Sequence, residues 1–303
     1  MEYASAPNST APFVRREAWV LESGNAFDPV TLAYAKAVQV MQARPPADPT
    51  SWSYQGAIHA AFAPPPAGAS WNQCQHRGWF FLPWHRMYLY YFERIVRAAV
   101  LAANGPAHFA IPYWNYDRPF PGNTLPPAFR APALPDGSSN PLFVVPPGRA
   151  QGLMNGGQIS PLVTSSSAAM AMTSFTSPAS GFGGGKEGPI HFGGSLGQLE
   201  STPHNDMHPT IGGAPAGQCQ GGLMTDPRCA ALDPIFWLHH ANIDRLWNNW
   251  LALSDGRVNP PDAAWLTQTF AFADETGAQV SMSVDQVVDS ANQLQYVYDD
   301  EAP

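Results

Sequence analysis

Seven of the nine histidines in this chain fall into two separated groups on apolar, helix-forming sequence, and no other feature constrains the fold as much. The first group is His59, then His76 and His85 within CQHRGWFFLPWHR at residues 74–86. The second is HNDMH at residues 204–208, followed by DPIFWLHHANIDR at residues 233–245. His204 and His208 stand four apart, so on a helix they share a face. His240 follows Ile235, Phe236, Trp237 and Leu238, and His85 lies between Phe80-Phe81-Leu82 and Met87-Tyr88. Burying an imidazole in such surroundings is costly unless it is hydrogen-bonded or bound to a metal. For either residue alone, a hydrogen-bonded core histidine is the better explanation. Two sets of three point instead to two adjacent metal ions with open positions.

Hydrophobic periodicity places these groups on helices. Residues 29–41 repeat apolar side chains every three to four positions, and residues 52–62 read as a shorter helix stopped by Pro64-Pro65-Pro66. Residues 84–103 put Leu89, Phe92, Ile95, Val96 and Ala99 on one face, and residues 234–253 begin with Asp233 as cap and Pro234 in the first turn. Residues 105–203 are rich in Gly, Pro and Ser and read as loops packed over the helices, with short strands expected near 109–112 and 142–145. The expected fold class is mainly α: a four-helix bundle core with ligands facing inward, long loops and a few short strands.

At 303 residues the chain can bury a substantial core, and 45% apolar residues suit a globular protein. A net charge of −8 with no basic run argues against nucleic acid as a partner. No apolar run approaches the ~20 residues of a membrane span. Residues 1–13 are polar and lack the basic start and apolar centre of a signal peptide, which leaves cytoplasmic residence or secretion after processing both open. Cys219 and Cys229 stand ten apart and could form a disulfide; Cys74 is left over, two residues before His76.

The donor types narrow the metal. All candidate ligands are imidazoles, which suit zinc, copper, iron and nickel. A di-iron bundle would want Glu and Glu-x-x-His, and a zinc protease His-Glu-x-x-His, where this chain has His-Asn-Asp-Met-His. Neutral ligands leave little charge to offset trivalent iron and favour copper cycling between its two common states.

Cys-x-His-x8-His, His-x3-His and the run from Asp233 through Trp247 together resemble the type 3 copper proteins: tyrosinases, catechol oxidases and molluscan haemocyanin units. The resemblance runs from about Arg15 to Asp299, and Tyr296-Val-Tyr298 looks like the family's closing tyrosine motif, with Arg15 or Arg16 packed near it. It implies two copper ions, the first held by His59, His76 and His85, the second by His204, His208 and His240. His239 would be a hydrogen-bonded neighbour. Cys74 and His76 match the family's thioether pair. Glu200 matches the acid that orients a water, Asn205 the residue that completes that water's hydrogen bonds, and Pro209 and Pro227 would shape the pocket. Pro227 falls where plant enzymes carry a phenylalanine over the first copper.

The implied activity is ortho-hydroxylation of monophenols and oxidation of o-diphenols to o-quinones with O2, with small phenols as substrates. A catechol oxidase or an o-aminophenol oxidase is the alternative, and a haemocyanin-like oxygen carrier the rival from another class. The resemblance allows a copper-loading helper protein and leaves the oligomer open. It further implies a single catalytic domain over residues 1–303 without a C-terminal lid. His108 and His191 read as loop histidines, and Asp244 with Arg245 as a buried pair or as an orienter of a ligand histidine.

Overall fold

Four helices come from the periodic segments and a fifth from the second histidine group. Helix α1 (Pro29–Gln42) starts with the Asp28 side chain accepting from the Val30 amide at 2.8 Å. Helix α2 (Trp52–His59) is capped by Ser51 and ends three residues short of the expected Phe62, because Ala60 turns extended and the Asn72 side chain takes the Ala61 amide at 2.6 Å. Helix α3 (Phe81–Ala102) begins three residues early, Pro83 being tolerated in a first turn whose N–H groups lack helical partners anyway. Helix α4 (Asp206–Gly212) and helix α5 (Ile235–Ala252) complete the set; the Asp233 carboxylate accepts from the Ile235 amide at 3.0 Å. The computed structural model describes residues 11–22, 26–176, 181–213, 219, 221–253 and 255–300, so the polar start of the chain lies outside them up to residue 10.

The mainly α bundle is joined by buried aromatic side chains. Helix α3 packs against α1 on one side and α5 on the other, and α2 lies against α1. Trp52 of α2 meets Phe92 and Trp237 edge-on at 5.8 and 6.3 Å, and the Tyr34 hydroxyl donates to the Pro234 carbonyl at 2.9 Å. Each such fully buried large apolar side chain stabilises the fold by roughly 1.5–3 kcal/mol. Among the described residues no helix is long and apolar enough to cross a membrane.

Four short strands make two ribbons: β1 (Phe13–Arg15), β2 (Thr269–Ala273), β3 (Gln279–Ser283) and β4 (Tyr296–Tyr298). Strands β2 and β3 pair antiparallel, and Phe272 of β2 packs against Trp84 of α3. Strands β1 and β4 pair in parallel, which brings Arg15 beside Tyr298. Of the two candidate arginines it is therefore Arg15 that meets the tyrosine motif, donating to the Tyr298 hydroxyl at 2.9 Å.

Two expectations need correction, and one open question is answered. Neither 109–112 nor 142–145 forms a strand; among its described residues the loop region has one-turn helices such as Gln151–Met154 and, in place of strands, isolated bridges such as Glu17 with Tyr113, since Pro112, Pro141 and Pro146-Pro147 withhold the amides a ladder requires. Asp244 and Arg245 do not pair with each other. Neighbours on a helix point about 100° apart, so Asp244 meets Arg15 and Arg86 while Arg245 meets Asn242 and Asp300. Cys219 and Cys229, left open by the sequence, are joined as a disulfide.

Candidate metal centre

Each histidine reaches the centre from a different piece of backbone. His59 is the last residue of α2, His76 sits on the loop before α3, and His85 is in the second turn of α3. Their ring centroids are 5.1 to 5.7 Å apart. His239 and His240 belong to α5, His208 to α4. His204 does not share a regular helix with His208: it lies in a π-type turn over Glu200–Asn205 that contains the non-helical Thr202, and α4 starts only at Asp206. The two rings still face one another, Nε2 to Nε2 at 3.2 Å. In each group the potential ligand atoms lie within 4.8 Å of one another, and both groups consist of histidines alone. The groups adjoin, with the rings of His85 and His240 stacked at 4.5 Å and 7°.

Carbonyl oxygens fix the tautomers. Nδ1 of His59 lies 2.9 Å from the Pro227 carbonyl, Nδ1 of His85 2.8 Å from Phe81, and Nδ1 of His208 2.6 Å from Met224. A carbonyl only accepts, so Nδ1 carries the proton in each and Nε2 presents its lone pair inward. Nε2 of His59 and His85, both ring nitrogens of His240 and Nδ1 of His76 are buried with no protein partner. Leaving such groups unsatisfied costs about 1–3 kcal/mol apiece, which a bound metal ion would relieve. Burial pushes His59 down to about 3 and His208 to about 4, the carbonyl bonds opposing it. Burial first, and neighbouring histidines second, hold His76, His85, His204 and His240 well below the ordinary range. Imidazoles kept neutral are in the state that ligates. Convergent, buried, neutral nitrogen donors with orphaned lone pairs fit a pair of copper ions.

A pocket of about 380 Å³ opens over the centre. Of the residues expected from sequence, His59, His76, His204, His208, Glu200, Asn205, Pro209 and Pro227 line it, while His85 and His240 do not reach its wall. Both Glu200 oxygens accept from the Arg77 amide, at 2.8 and 2.9 Å. Burial pushes the Glu200 carboxyl up to about 8, against that hydrogen bond. Asn205 does not cap α4; its Oδ1 lies 3.0 Å from Nδ1 of His204. Buried Cys74 has its Sγ 3.3 Å from Nδ1 of His191, which also lies 2.8 Å from the Cys74 carbonyl. His191, read as a bystander, thus docks the loop that carries Phe192 over His76, where the two rings stack at 5.2 Å and 14°. His239 meets the Tyr116 hydroxyl at 3.2 Å as expected, and it also stands among the four clustered histidines of the second group.

Sequence reasoning missed Arg77, Phe192, Leu196, Met224 and Thr225 on the wall. Arg77 had a signal, following His76 directly. Phe192 had none, because its glycine-rich surroundings carry no periodicity.

Comparison with known proteins agrees with this centre. The model of the common central domain of tyrosinase matches residues 49–253, and that of the polyphenol oxidase middle domain matches residues 259–303. A tyrosinase of Hahella sp. (strain CCB-MM4) is 43% identical over 240 residues, covering 75% of this chain and 48% of the relative. The latent form of a chloroplastic polyphenol oxidase of Prunus armeniaca is 32% identical over 240 residues, covering 74% and 38%. The chain thus spans half or less of the length of these curated relatives. The crystal structure of Grenache (Vitis vinifera) polyphenol oxidase superposes with a TM-score of 0.75 at 26% identity, over 99% of this chain and 88% of that one. The chain belongs to the tyrosinase and polyphenol oxidase family, whose dinuclear copper site its two groups of histidines supply.

Proposed function

We propose that this chain is a phenol oxidase that uses dioxygen to convert o-diphenols to o-quinones and to hydroxylate monophenols ortho to their hydroxyl group. The observation that carries this reading is the convergence of seven neutral histidines, all buried but the partly buried His208, in two touching groups beneath an open pocket large enough for one aromatic ring. His59, His76 and His85 would hold one copper, and His204, His208 and His240 the other. When bound, the copper pair supplies the redox chemistry, passing electrons from the phenol to dioxygen.

The chain's own residues bind and deprotonate the substrate. A phenol with a pKa of about 10 needs help to lose its proton at neutral pH. Glu200, on the pocket wall and held by the Arg77 amide, orients a water that takes this proton. Asn205 keeps the His204 ring in place through Oδ1 and offers its amide group to the same water. Pro209 and Pro227 bound the pocket mouth, and Pro227 also fixes His59 through its carbonyl. Cys74 would fix the His76 ring through a thioether; peptide mass spectrometry would then find the fragment spanning both residues two hydrogens lighter than its sequence mass.

One observation favours a second reading, oxidation of diphenols alone: both Glu200 oxygens already accept from one amide, so the acid has less capacity left to serve a base. The test is copper-loaded protein with L-tyrosine and, separately, L-DOPA, followed by quinone absorbance. Oxidation of both, with a lag on tyrosine and loss of the tyrosine reaction in Asn205→Gly, supports hydroxylation. Oxidation of L-DOPA alone leaves the second reading, and reaction with neither removes both.

A further inference from the structure

Arg77 is a cation on the pocket wall that forms no ion pair among the described residues. It follows His76, lines the same cavity and is exposed. No carboxylate among the described residues lies within ion-pairing distance of its guanidinium; its charge acts at longer range on the buried Glu200 carboxyl, opposing the upward push of burial. The chain has only 15 lysines and arginines against 23 acids, and most of those cations are paired, several of them buried. The other cation near the opening, Arg228, sits on the outer groove and is tied to Asp226 at 2.6 and 2.8 Å.

The position of Arg77 is also built. Its φ is +61°, the left-handed region that non-glycine residues rarely adopt, and the Glu200 carboxyl holds its amide there through two oxygens. On the wall of the same pocket, Phe192 lies stacked on His76 yet is 48% exposed, presenting the edge of an apolar surface at the mouth. A ring seated over the histidines would therefore meet the apolar edge of Phe192 and the Arg77 guanidinium, both on the pocket wall.

We infer that the pocket selects phenols carrying a carboxylate on a short side chain, with Arg77 binding that carboxylate and Phe192 packing against the ring. This rests on the phenol-oxidase reading and names its substrate class. An arginine–carboxylate hydrogen bond is charge-assisted and bidentate in its best geometry, so it discriminates against neutral and cationic side chains by about tenfold at a partly exposed site. Arg77 would act on binding and not on the electron transfer.

The experiment compares three catechols on the copper-loaded full chain: one with a propionate side chain, methylcatechol, and dopamine. The expected order of kcat/KM is propionate, methyl, amine. Arg77→Gln lowers the propionate-to-methyl ratio about tenfold, mainly through KM, and Arg77→Lys restores part of it. Raising the ionic strength narrows the same ratio in the unaltered chain and leaves it unchanged in Arg77→Gln. Using the ratio cancels any general loss caused by disturbing the Glu200 contact. A ratio unaffected by Arg77→Gln, or a preference for dopamine, overturns the inference. If no catechol is oxidised, the phenol-oxidase reading has failed, and the anion site is then read by calorimetric titration with phenylpropionate and its neutral amide. Binding of the acid about tenfold tighter than the amide, lost in Arg77→Gln, keeps the site; equal binding removes it.

Discussion

Two buried polar clusters share the same pair of helices and solve the same problem in opposite ways. His85 and Arg86 are consecutive on α3, yet His85 points into the histidine centre and Arg86 into a knot of charges on Asp244 of α5. In the knot, Asp244 accepts from Arg15, Arg86, Tyr296 and Tyr298 at 2.5 to 3.3 Å, and Glu93 accepts from Arg15 and Arg97 at 3.0 Å. Only Nη2 of Arg15 is left unpartnered there. The surrounding arginines hold Asp244 below the usual carboxylate range despite its burial. The histidine centre is the reverse: its Nδ1 atoms are largely anchored, while several inward ring nitrogens have no protein partner. Internal satisfaction marks a cluster that holds the fold, and convergent orphans mark one completed by a ligand.

The largest effect should come from breaking the ligand side of this contrast. On the proposed assignment, His85→Ala and His240→Ala each reduce bound copper from two ions per chain to one and abolish diphenol oxidation. The metal-free protein should lose less than about 2 kcal/mol in either variant, since an imbalance goes with the ring that is removed. Copper analysis beside urea denaturation checks both halves. A variant that keeps two coppers would remove that histidine from the ligand set.

The knot should behave oppositely. Asp244→Ala strands Arg15 and Arg86 in the core and should cost about 3–5 kcal/mol of unfolding free energy, read from the urea midpoint. The fraction still folded should bind two coppers, because no ligand histidine is held by Asp244. Loss of copper binding without loss of stability would mean that Asp244 orients the centre after all.

The two clusters also differ in how far the sequence reveals them. The histidine groups are legible because their ligands sit at short spacings on strongly periodic segments, so the bundle and the centre emerge together. The knot is not, since Arg15 and Asp244 lie 229 residues apart and only the parallel pairing of β1 with β4 brings the N-terminal strand to α5. From sequence alone Asp244 and Arg245 read as a buried pair or as an orienter of a ligand histidine, and helix geometry turns the two away from each other. The pocket wall fails for the same reason. Phe192 reaches His76 because the Ile190 amide donates to the Gln75 side chain at 2.7 Å and His191 docks on Cys74, contacts across more than 110 residues with no local pattern. Helix ends were displaced by a few residues where a side chain from elsewhere, such as Asn72, captured an amide.

The smallest test uses an orphan that lies outside both clusters. Glu22 is buried, with Oε2 accepting from the Ala128 amide at 3.0 Å and the Thr31 hydroxyl near enough to act on the carboxyl but outside good hydrogen-bond geometry for Oε1. Burial pushes its carboxyl up to about 8, the Ala128 hydrogen bond opposing. Among the described residues no cation is ion-paired with it, Arg130 lowering the carboxyl only slightly, so its way of closing the deficit is a proton, where the histidines fit a metal. Between the unfolded value near 4.5 and the folded value near 8, the folded chain binds more protons at this position than the unfolded one. The contribution of Glu22 is therefore fully present below pH about 4.5 and is lost as pH rises toward 8. Glu22→Gln mimics the protonated acid and should stabilise the chain by about 1–3 kcal/mol at pH 8, with no change at pH 4. Denaturation of metal-free protein at the two pH values reads this directly. An equal effect at both would mean that Glu22 stays ionised in the fold, and burial without a partner would then not separate the ligand-seeking cluster from the rest of the core.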